Sequence, residues 1–334
     1  MLSPTDLIHL PCTSDLTPAG ITYACRSLAY TFDRMGGSPA NRLRRIVAGI
    51  MVELAFRRHL SNESIPFDLL GATPFTDPDR YDVALGGRRC DIKSFLIHRR
   101  EHIRLTRSRP ARLLEAEALV PVDQFSSEHL SDEDLYIFGF LAALITPRKE
   151  DLQRAQAAEQ PVFFIHALPE HWARPRLWRP LGGLVMKAEV ETPLTLQVGG
   201  QGEDRKFKEA EVVLSPGERV PLTGDWHAVS YLSGSALPPG RVGIHSSVLE
   251  KTYLVQPHEW ENIWVYGIGI ILAGYMTRGE FRRQARRIPV GSRVFQYSRT
   301  RTDNMAVPVS SLHPLSDLFV RAQNWAQQLG RRAG

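Results

Sequence analysis

The residues with the clearest capacity for chemistry lie in the segment TDPDRYDVALGGRRCDIKSF. Gly86 and Gly87 separate two strand-like runs and predict a two-residue hairpin turn, because glycine accepts positive φ at both central positions. This turn places Asp82 directly opposite Asp91, with their Cβ atoms roughly 4.5–5.5 Å apart. Like charges at that distance destabilise a hairpin, and a hard divalent cation bound by carboxylate oxygens would offset the repulsion. The segment therefore predicts a cation site on the hairpin.

The predicted hairpin has one charged face and one apolar face. Its strands span residues 80–85 and 88–97, and side chains alternate between the two faces along each strand. Lys93 therefore lies on the same face as Asp91. The apolar face is formed by Tyr81, Val83, Leu85, Cys90, Ile92 and Leu96. A salt-bridge ladder on an exposed surface is the alternative interpretation of the charged face.

A third carboxylate lies in the clearest helical pattern of the first third of the chain, residues 40–60. The apolar side chains that recur there at the spacing of one helix face are Leu43, Ile46, Val47, Ile50, Met51 and Leu54. Glu53 falls at the edge of this apolar stripe. An unpaired carboxylate is costly to bury, and a cation shared with Asp82 and Asp91 would stabilise it. The pattern thus adds Glu53 to the candidate cation site.

The order of these residues resembles the PD-(D/E)xK nuclease superfamily. A helical Glu in GIMVELAFRRHL is followed by a strand Asp in YDVAL and by Asp-x-Lys in CDIKSF, within roughly residues 40–100. The family's Pro-Asp pair is displaced here, since Tyr81 rather than Pro precedes Asp82. Asp79, which follows Pro78, is an alternative first acid, but it falls on the opposite strand face from Asp82. Asp82 is therefore favoured.

The resemblance implies a metal-dependent active site. The groups implied as ligands of Mg²⁺, or of Mn²⁺, are Glu53, Asp82, Asp91 and the backbone carbonyl of Ile92. Lys93 would position or polarise the attacking water. The implied fold class is α/β, with a restriction-endonuclease-like mixed sheet flanked by helices. The implied function is a Mg²⁺-dependent endonuclease that hydrolyses DNA phosphodiester bonds in prokaryotic restriction or antiphage defence.

Two other functions stay open. A nuclease-like core could act as a catalytically silent nucleic-acid-binding or scaffolding subunit of a larger complex, although the complete set of acidic and Lys residues argues against that. The substrate could also be RNA or branched DNA, because nothing in the sequence separates these from duplex DNA.

Positive charge is concentrated around the predicted hairpin. Residues 42–112 contain 15 Arg and Lys against 8 Asp and Glu, a net charge of +7, whereas the whole chain carries +5. The residues expected to contact nucleic-acid phosphates are Arg88, Arg89, Arg99, Arg100, Arg104 and Arg107. The alternative is a solvated basic helix or loop, but its position directly after the Asp-x-Lys strand favours substrate binding.

The patterning divides the chain into three parts. Residues 1–160 alternate strands and helices, including a helix at 113–119, and are expected to form the nuclease core. Residues 161–256 contain short apolar runs between Gly and Pro turns, which predicts a β-rich module for substrate or partner recognition. Residues 257–334, with a strand near Val294, are expected to pack on or complete the nuclease core. Further strands are predicted at 135–145 and 264–276, and further helices at 149–158, 278–287 and 315–329.

The composition limits the class of protein. The chain has 334 residues, 43% hydrophobic and 23% charged, which gives room for about two globular domains. Its longest apolar run, residues 264–276, is shorter than the roughly 20 residues of a membrane-spanning helix, and the N-terminus lacks a secretory pattern. The 3 cysteines are too few for a disulfide framework. We expect a cytoplasmic protein without membrane contact, whose partners are DNA and either protein subunits or a second copy in a homodimer.

Overall fold

The computed structural model of the chain describes residues 2–13, 15–31, 39–69, 83–126, 131–146, 148–159, 162–249, 251–263 and 266–333. Helices and several separate sheets together make the chain a mixed α/β protein.

The helices and strands are numbered in chain order. The helices are α1 (Leu16–Thr31), α2 (Pro39–Asn62), α3 (Arg100–Ser108), α4 (Val122–Phe125), α5 (Lys149–Ala157), α6 (Glu170–Ala173), α7 (Arg278–Gln284) and α8 (Leu315–Ala333). The strands are β1 (Ile8–Leu10), β2 (Val83–Leu85), β3 (Arg88–Ile97), β4 (Glu117–Pro121), β5 (Leu135–Leu144), β6 (Phe164–Ala167), β7 (Leu184–Ala188), β8 (Leu194–Gln201), β9 (Phe207–Leu214), β10 (Val220–Leu222), β11 (Ala228–Gly234), β12 (Val242–Ser246), β13 (Lys251–Val255), β14 (Glu261–Asn262), β15 (Tyr266–Thr277), β16 (Arg286–Ile288) and β17 (Asn304–Pro308).

The chain forms two compact units, each built from separate stretches of sequence. The first unit comprises Met1–Tyr23, Arg45–Leu144 and Gly267–Gly334, and the second comprises Ala24–Arg44 and Ile145–Tyr266. The domain boundaries predicted from the sequence, at residues 160 and 256, differ from the boundaries of the compact units, which lie at residues 144 and 266. The C-terminal strand β15 lies beside β5 in the main sheet of the first unit.

The main sheet of the first unit contains the predicted hairpin. Its strand order is β1-β15-β5-β3-β2, and β3 runs parallel to β5. Strands β2 and β3 pair antiparallel with Val83 opposite Cys90, which is the predicted register. Gly86 and Gly87 have φ of 55° and 81°, the positive values that a two-residue hairpin turn requires. The turn chemistry therefore fixes the register of β3.

Helix α2 covers the face of the sheet that carries Ser94 and Gly139. A Cβ atom at Gly139 would lie 2.9 Å from Val52 Cγ1, so the missing side chain lets the helix approach the sheet closely. A Cβ atom at Gly49 would lie 3.5 Å from Ser94 Oγ. The helix predicted for residues 40–60 is present, but its apolar stripe is confirmed only in part: Leu43, Val47 and Met51 are fully buried, whereas Ile46, Ile50 and Leu54 are half-buried.

The opposite face of the main sheet is covered by aromatic side chains. Tyr136 and Phe138 of β5 contact Phe281 of α7, with ring centroids 5.2 and 5.9 Å apart. Phe125 of α4 contacts the same ring. Every residue of β5 is buried, which is typical of a parallel strand covered on both faces.

The second unit confirms the predicted β-rich region. It contains two sheets, with orders β14-β6-β11-β8-β9 and β10-β7-β12-β13, whose described pairs are all antiparallel. Their apolar faces share one core, in which Trp172 and Trp226 are fully buried. Buried side chains alternate with less buried ones along strands such as β7. Such alternation is typical of two packed layers of antiparallel strands.

Two predicted elements of the first unit are wrong. The helix predicted at 113–119 is a 3₁₀ turn, Pro110–Glu115, followed by strand β4. Three consecutive apolar residues of β4 are buried, and that run suits a covered strand better than one face of a helix. The strand predicted near Val294 is a turn, in which Val294 and Tyr297 exchange backbone hydrogen bonds of 3.0 and 3.2 Å. The strand of this region is β17.

Candidate functional site

Asp91 and Lys93 lie together on β3, on the face of the sheet opposite α2. Lys93 Nζ donates a hydrogen bond of 2.6 Å to Asp91 Oδ1 and lies 2.6 Å from Oδ2. The side chains of Lys93 and Asp91 are only 13% and 21% exposed. Alternation along a strand explains the pairing, because residues two apart point to the same face. The pair is thus a largely buried ion pair.

Gln124 is a third member of this group, and the sequence analysis missed it. Lys93 Nζ donates a hydrogen bond of 2.8 Å to Gln124 Oε1. Gln124 lies in the single turn of α4, directly after β4. The two residues are 31 positions apart, and no spacing or motif in the sequence connects them. The amide oxygen and the carboxylate together hold the ammonium group from two directions.

Tyr136 and Arg278 form the buried wall beside this group. Tyr136 lies opposite Asp91 in the parallel register of β3 and β5. Burial, and then the negative charge of Asp91, raise the pKa of Tyr136 to about 12, while Arg278 acts in the opposite direction. Arg278 is buried and donates through Nη2 to the Phe125 carbonyl at 3.1 Å. The phenol is neutral at physiological pH and therefore places no second negative charge beside Asp91.

Glu53 lies on α2, which packs against the other face of β3. It forms an ion pair with Arg57, one helical turn further on, and its side chain is 15% exposed. Gly49, one turn before Glu53, contacts Ser94, whose side chain alternates with those of Lys93 and Phe95. Asp91 and the helix that carries Glu53 thus lie on opposite faces of the strand.

Whether Mg²⁺ fits this site depends on the oxygen ligands that surround Asp91. Asp82 and the alternative acid Asp79 lie outside the described residues. Within the part of the chain that the structure describes, no group of three or more His, Cys, Asp or Glu side chains could hold a metal ion. Mg²⁺ commonly binds one or two carboxylates and keeps several waters, so Asp91 fits as one ligand, next to the backbone of Ile92 in β3.

The predicted phosphate-binding arginines divide into two groups. Arg88 forms an ion pair of 3.0 Å with Glu133, and its guanidinium carbon lies 3.9 Å from the ring centroid of Trp325. Arg89 forms an ion pair of 2.7 Å with the buried carboxylate of Asp134. Both guanidinium charges are already compensated by carboxylates. We therefore interpret these two side chains as stabilising the hairpin end of β3.

The other group surrounds α3. Helix α3 buries Ile103 and Thr106, which turns Arg104 and Arg107 to solvent. Arg99, Arg104 and Arg107 are exposed and have no ion pair with any residue that the structure describes, and Arg100 begins the helix. Exposed, uncompensated guanidinium groups are available to an anionic partner.

No helix in the described ranges is long and apolar enough to cross a membrane. Compared with known proteins, the chain matches no family model, no curated protein and no solved structure.

Proposed function

We propose that the chain is a metal-dependent nuclease that hydrolyses DNA phosphodiester bonds at the Asp91–Lys93 group, on a restriction-endonuclease-like arrangement of the first unit. The observation that carries the proposal is the largely buried ion pair on an otherwise aromatic sheet face. Desolvating two charges costs free energy that apolar residues of similar size would not cost. An ion pair kept in such an environment therefore points to a role other than stability.

Each side chain has a role in the proposed reaction. Asp91, with the Ile92 carbonyl and the sequence-predicted Asp82, would hold Mg²⁺, which would polarise the phosphoryl oxygens and lower the pKa of the attacking water. The attacking water would release a proton to solvent as its oxygen forms the new bond to phosphorus, the bond to the leaving sugar oxygen would break, and that oxygen would take up a proton from solvent. Lys93 would stabilise the charge that develops on the phosphoryl oxygens. Gln124 would fix the position of Lys93.

The free arginines support an anionic substrate. Arg99, Arg104 and Arg107 follow the β3 strand in sequence and are exposed without ion pairs in the described part of the chain. Contacts of this kind to backbone phosphates fix the position of a nucleic acid without reading its sequence. A role in prokaryotic restriction or antiphage defence is the part of the proposal that rests on the sequence resemblance.

A metal titration with parallel substrates tests the proposal. The full chain is incubated with labelled duplex DNA, single-stranded DNA and RNA over a range of Mg²⁺ or Mn²⁺ concentrations. We expect metal-dependent cleavage of DNA, with loss of cleavage in Asp91→Asn. Asp204→Asn is the matched control, because Asp204 is an exposed acid with the same spacing to a Lys. Binding without turnover on all three substrates would overturn the proposal in favour of a silent binding subunit, and faster cleavage of RNA would change the substrate class.

A further inference from the structure

The outer face of one sheet in the second unit forms a groove. The groove has a volume of about 680 Å³ and lies across β10, β7, β12 and β13. Its volume falls within the range of about 300–1,000 Å³ that is typical of sites for small molecules.

Two cations lie next to each other at one side of this groove. Val220 of β10 is opposite Met186 of β7, and Arg219, the residue before β10, continues this register opposite Lys187. Both line the groove and are exposed, and neither forms an ion pair with a described residue. Like charges directly opposite each other destabilise a sheet. An anion bound between them would remove that repulsion.

The acidic residue of the groove does not neutralise this pair. Glu189 is the acidic side chain among the described residues that line the groove. Its carboxylate accepts hydrogen bonds from both Nε and Nη2 of Arg241 on the neighbouring strand, at 2.8 and 2.5 Å. This bidentate ion pair lowers the pKa of Glu189 and occupies its two oxygens. The charge of Lys187 also lowers the pKa of Glu189, but three cations against one carboxylate leave the groove with a net positive charge.

The floor of the groove beside the two cations is apolar. Gly243 lies between Lys187 and Leu254 in the register of the sheet, and the end of the Leu254 side chain lies 3.1 Å from the position that a Cβ of residue 243 would take. Leu254 is 47% exposed and adds an apolar side chain to this face of the sheet. His245 Nδ1 lies 3.2 Å from Thr252 Oγ1 at the next position along the strands. The groove thus combines a flat apolar surface with a cationic side and hydrogen-bonding groups.

We propose that this groove binds a phosphorylated small molecule of the nucleotide class. Its phosphate groups lie between Lys187 and Arg219, and its ring system lies over Gly243 against Leu254. Charge-assisted hydrogen bonds from the two cations supply most of the affinity. The proposal uses residues of the second unit alone, so it stands apart from the proposed nuclease site.

Isothermal titration calorimetry of the full chain tests the proposal, with ATP, inorganic phosphate and a short single-stranded DNA oligomer as separate probes. We expect saturable binding of ATP, and binding on the order of tenfold or more weaker in Lys187→Glu/Arg219→Glu. The control with the same change in charge is Arg176→Glu/Arg179→Glu, since both side chains are exposed outside the groove in the second unit. The control is expected to bind ATP as the unchanged chain does.

A charge-neutral variant separates shape from electrostatics. Gly243→Ala adds one methyl group to the floor, and its Cβ would lie 3.1 Å from Leu254 Cδ2, the end of an exposed side chain that needs to move by only a few tenths of an ångström. We expect weaker ATP binding with an unaltered thermal unfolding transition. The proposal is overturned by the absence of saturable ATP binding, by equal weakening in the control, or by tighter binding of the DNA oligomer through the same cations. Binding of phosphate alone, with no gain from the nucleoside, also overturns it.

Discussion

The chain contains the same Asp-x-Lys spacing in two very different settings. Asp91 and Lys93 lie on the central part of a strand, at 2.6 Å, with side chains that are 21% and 13% exposed. Asp204 and Lys206 lie in a turn between β8 and β9, at 3.1 Å, and are 56% and 81% exposed. The intervening residue differs accordingly: Arg205 has a φ of +60°, which belongs to a turn.

The comparison shows that the surroundings, rather than the motif, distinguish the two pairs. Asp204 accepts hydrogen bonds from the backbone and side chain of Lys206, which lower its pKa, and the pair closes a local turn. The pair on β3 receives a further partner, Gln124, from a distant part of the chain. Exposed ion pairs contribute about 0–1 kcal/mol to stability, whereas charges removed from water need such added partners. Of the two pairs, only the strand pair is shielded from water and held by a side chain from a distant part of the chain.

The largest expected effect is on turnover. Lys93→Met removes the charge that would stabilise the phosphoryl oxygens, and we expect single-turnover cleavage of labelled duplex DNA to slow by about 10²–10³-fold. Lys206→Met removes the same charge from the exposed turn and is expected to leave the rate unchanged. Similar slowing in both variants would mean that the two pairs do not differ in function.

A smaller difference is expected in stability. A double-mutant cycle with Asp91→Asn and Lys93→Met should give a coupling free energy of about 1.5–3 kcal/mol, because the pair is largely removed from water. The matching cycle with Asp204→Asn and Lys206→Met should give about 0–1 kcal/mol. Urea unfolding of the single and double variants measures both values. A larger coupling in the exposed turn would contradict the assigned burial.

The smallest effect is expected at Gln124, the partner that the turn pair lacks. Gln124→Leu keeps the size of the side chain but removes the acceptor, and we expect roughly a tenfold loss in turnover with little change in KM, since one hydrogen bond to a charged group is lost. Gln124→Asn shortens the side chain and should restore part of the rate. An unchanged rate in Gln124→Leu would limit Gln124 to a packing role.

The local parts of this structure could be predicted from the sequence. Gly86 and Gly87 fix the hairpin register through their own conformational preference, and the register places Asp91 and Lys93 on one face. The periodicity of residues 40–60 marks α2, because a helix face repeats within a few residues. The short apolar runs between turns likewise mark the β-rich part of the chain.

The parts that depend on distant residues could not be predicted. Gln124 reaches Lys93 only because β4 and α4 pack over the main sheet, and neither element has a distinctive local pattern. Strand β4 was predicted as a helix because a short apolar run suits both structures until its neighbours are known. The position of Glu53 relative to Asp91 depends on which face of β3 helix α2 covers, and helical periodicity carries no information about that choice.

Binding of Mn²⁺ by the full chain, followed by electron paramagnetic resonance, tests the central claim most directly. We expect saturable Mn²⁺ binding in the unchanged chain and in Asp204→Asn, and its loss in Asp91→Asn, because the carboxylate on β3 is the proposed ligand. Circular dichroism of the three proteins provides the control for folding. Equal Mn²⁺ binding by Asp91→Asn and the unchanged chain would contradict the account.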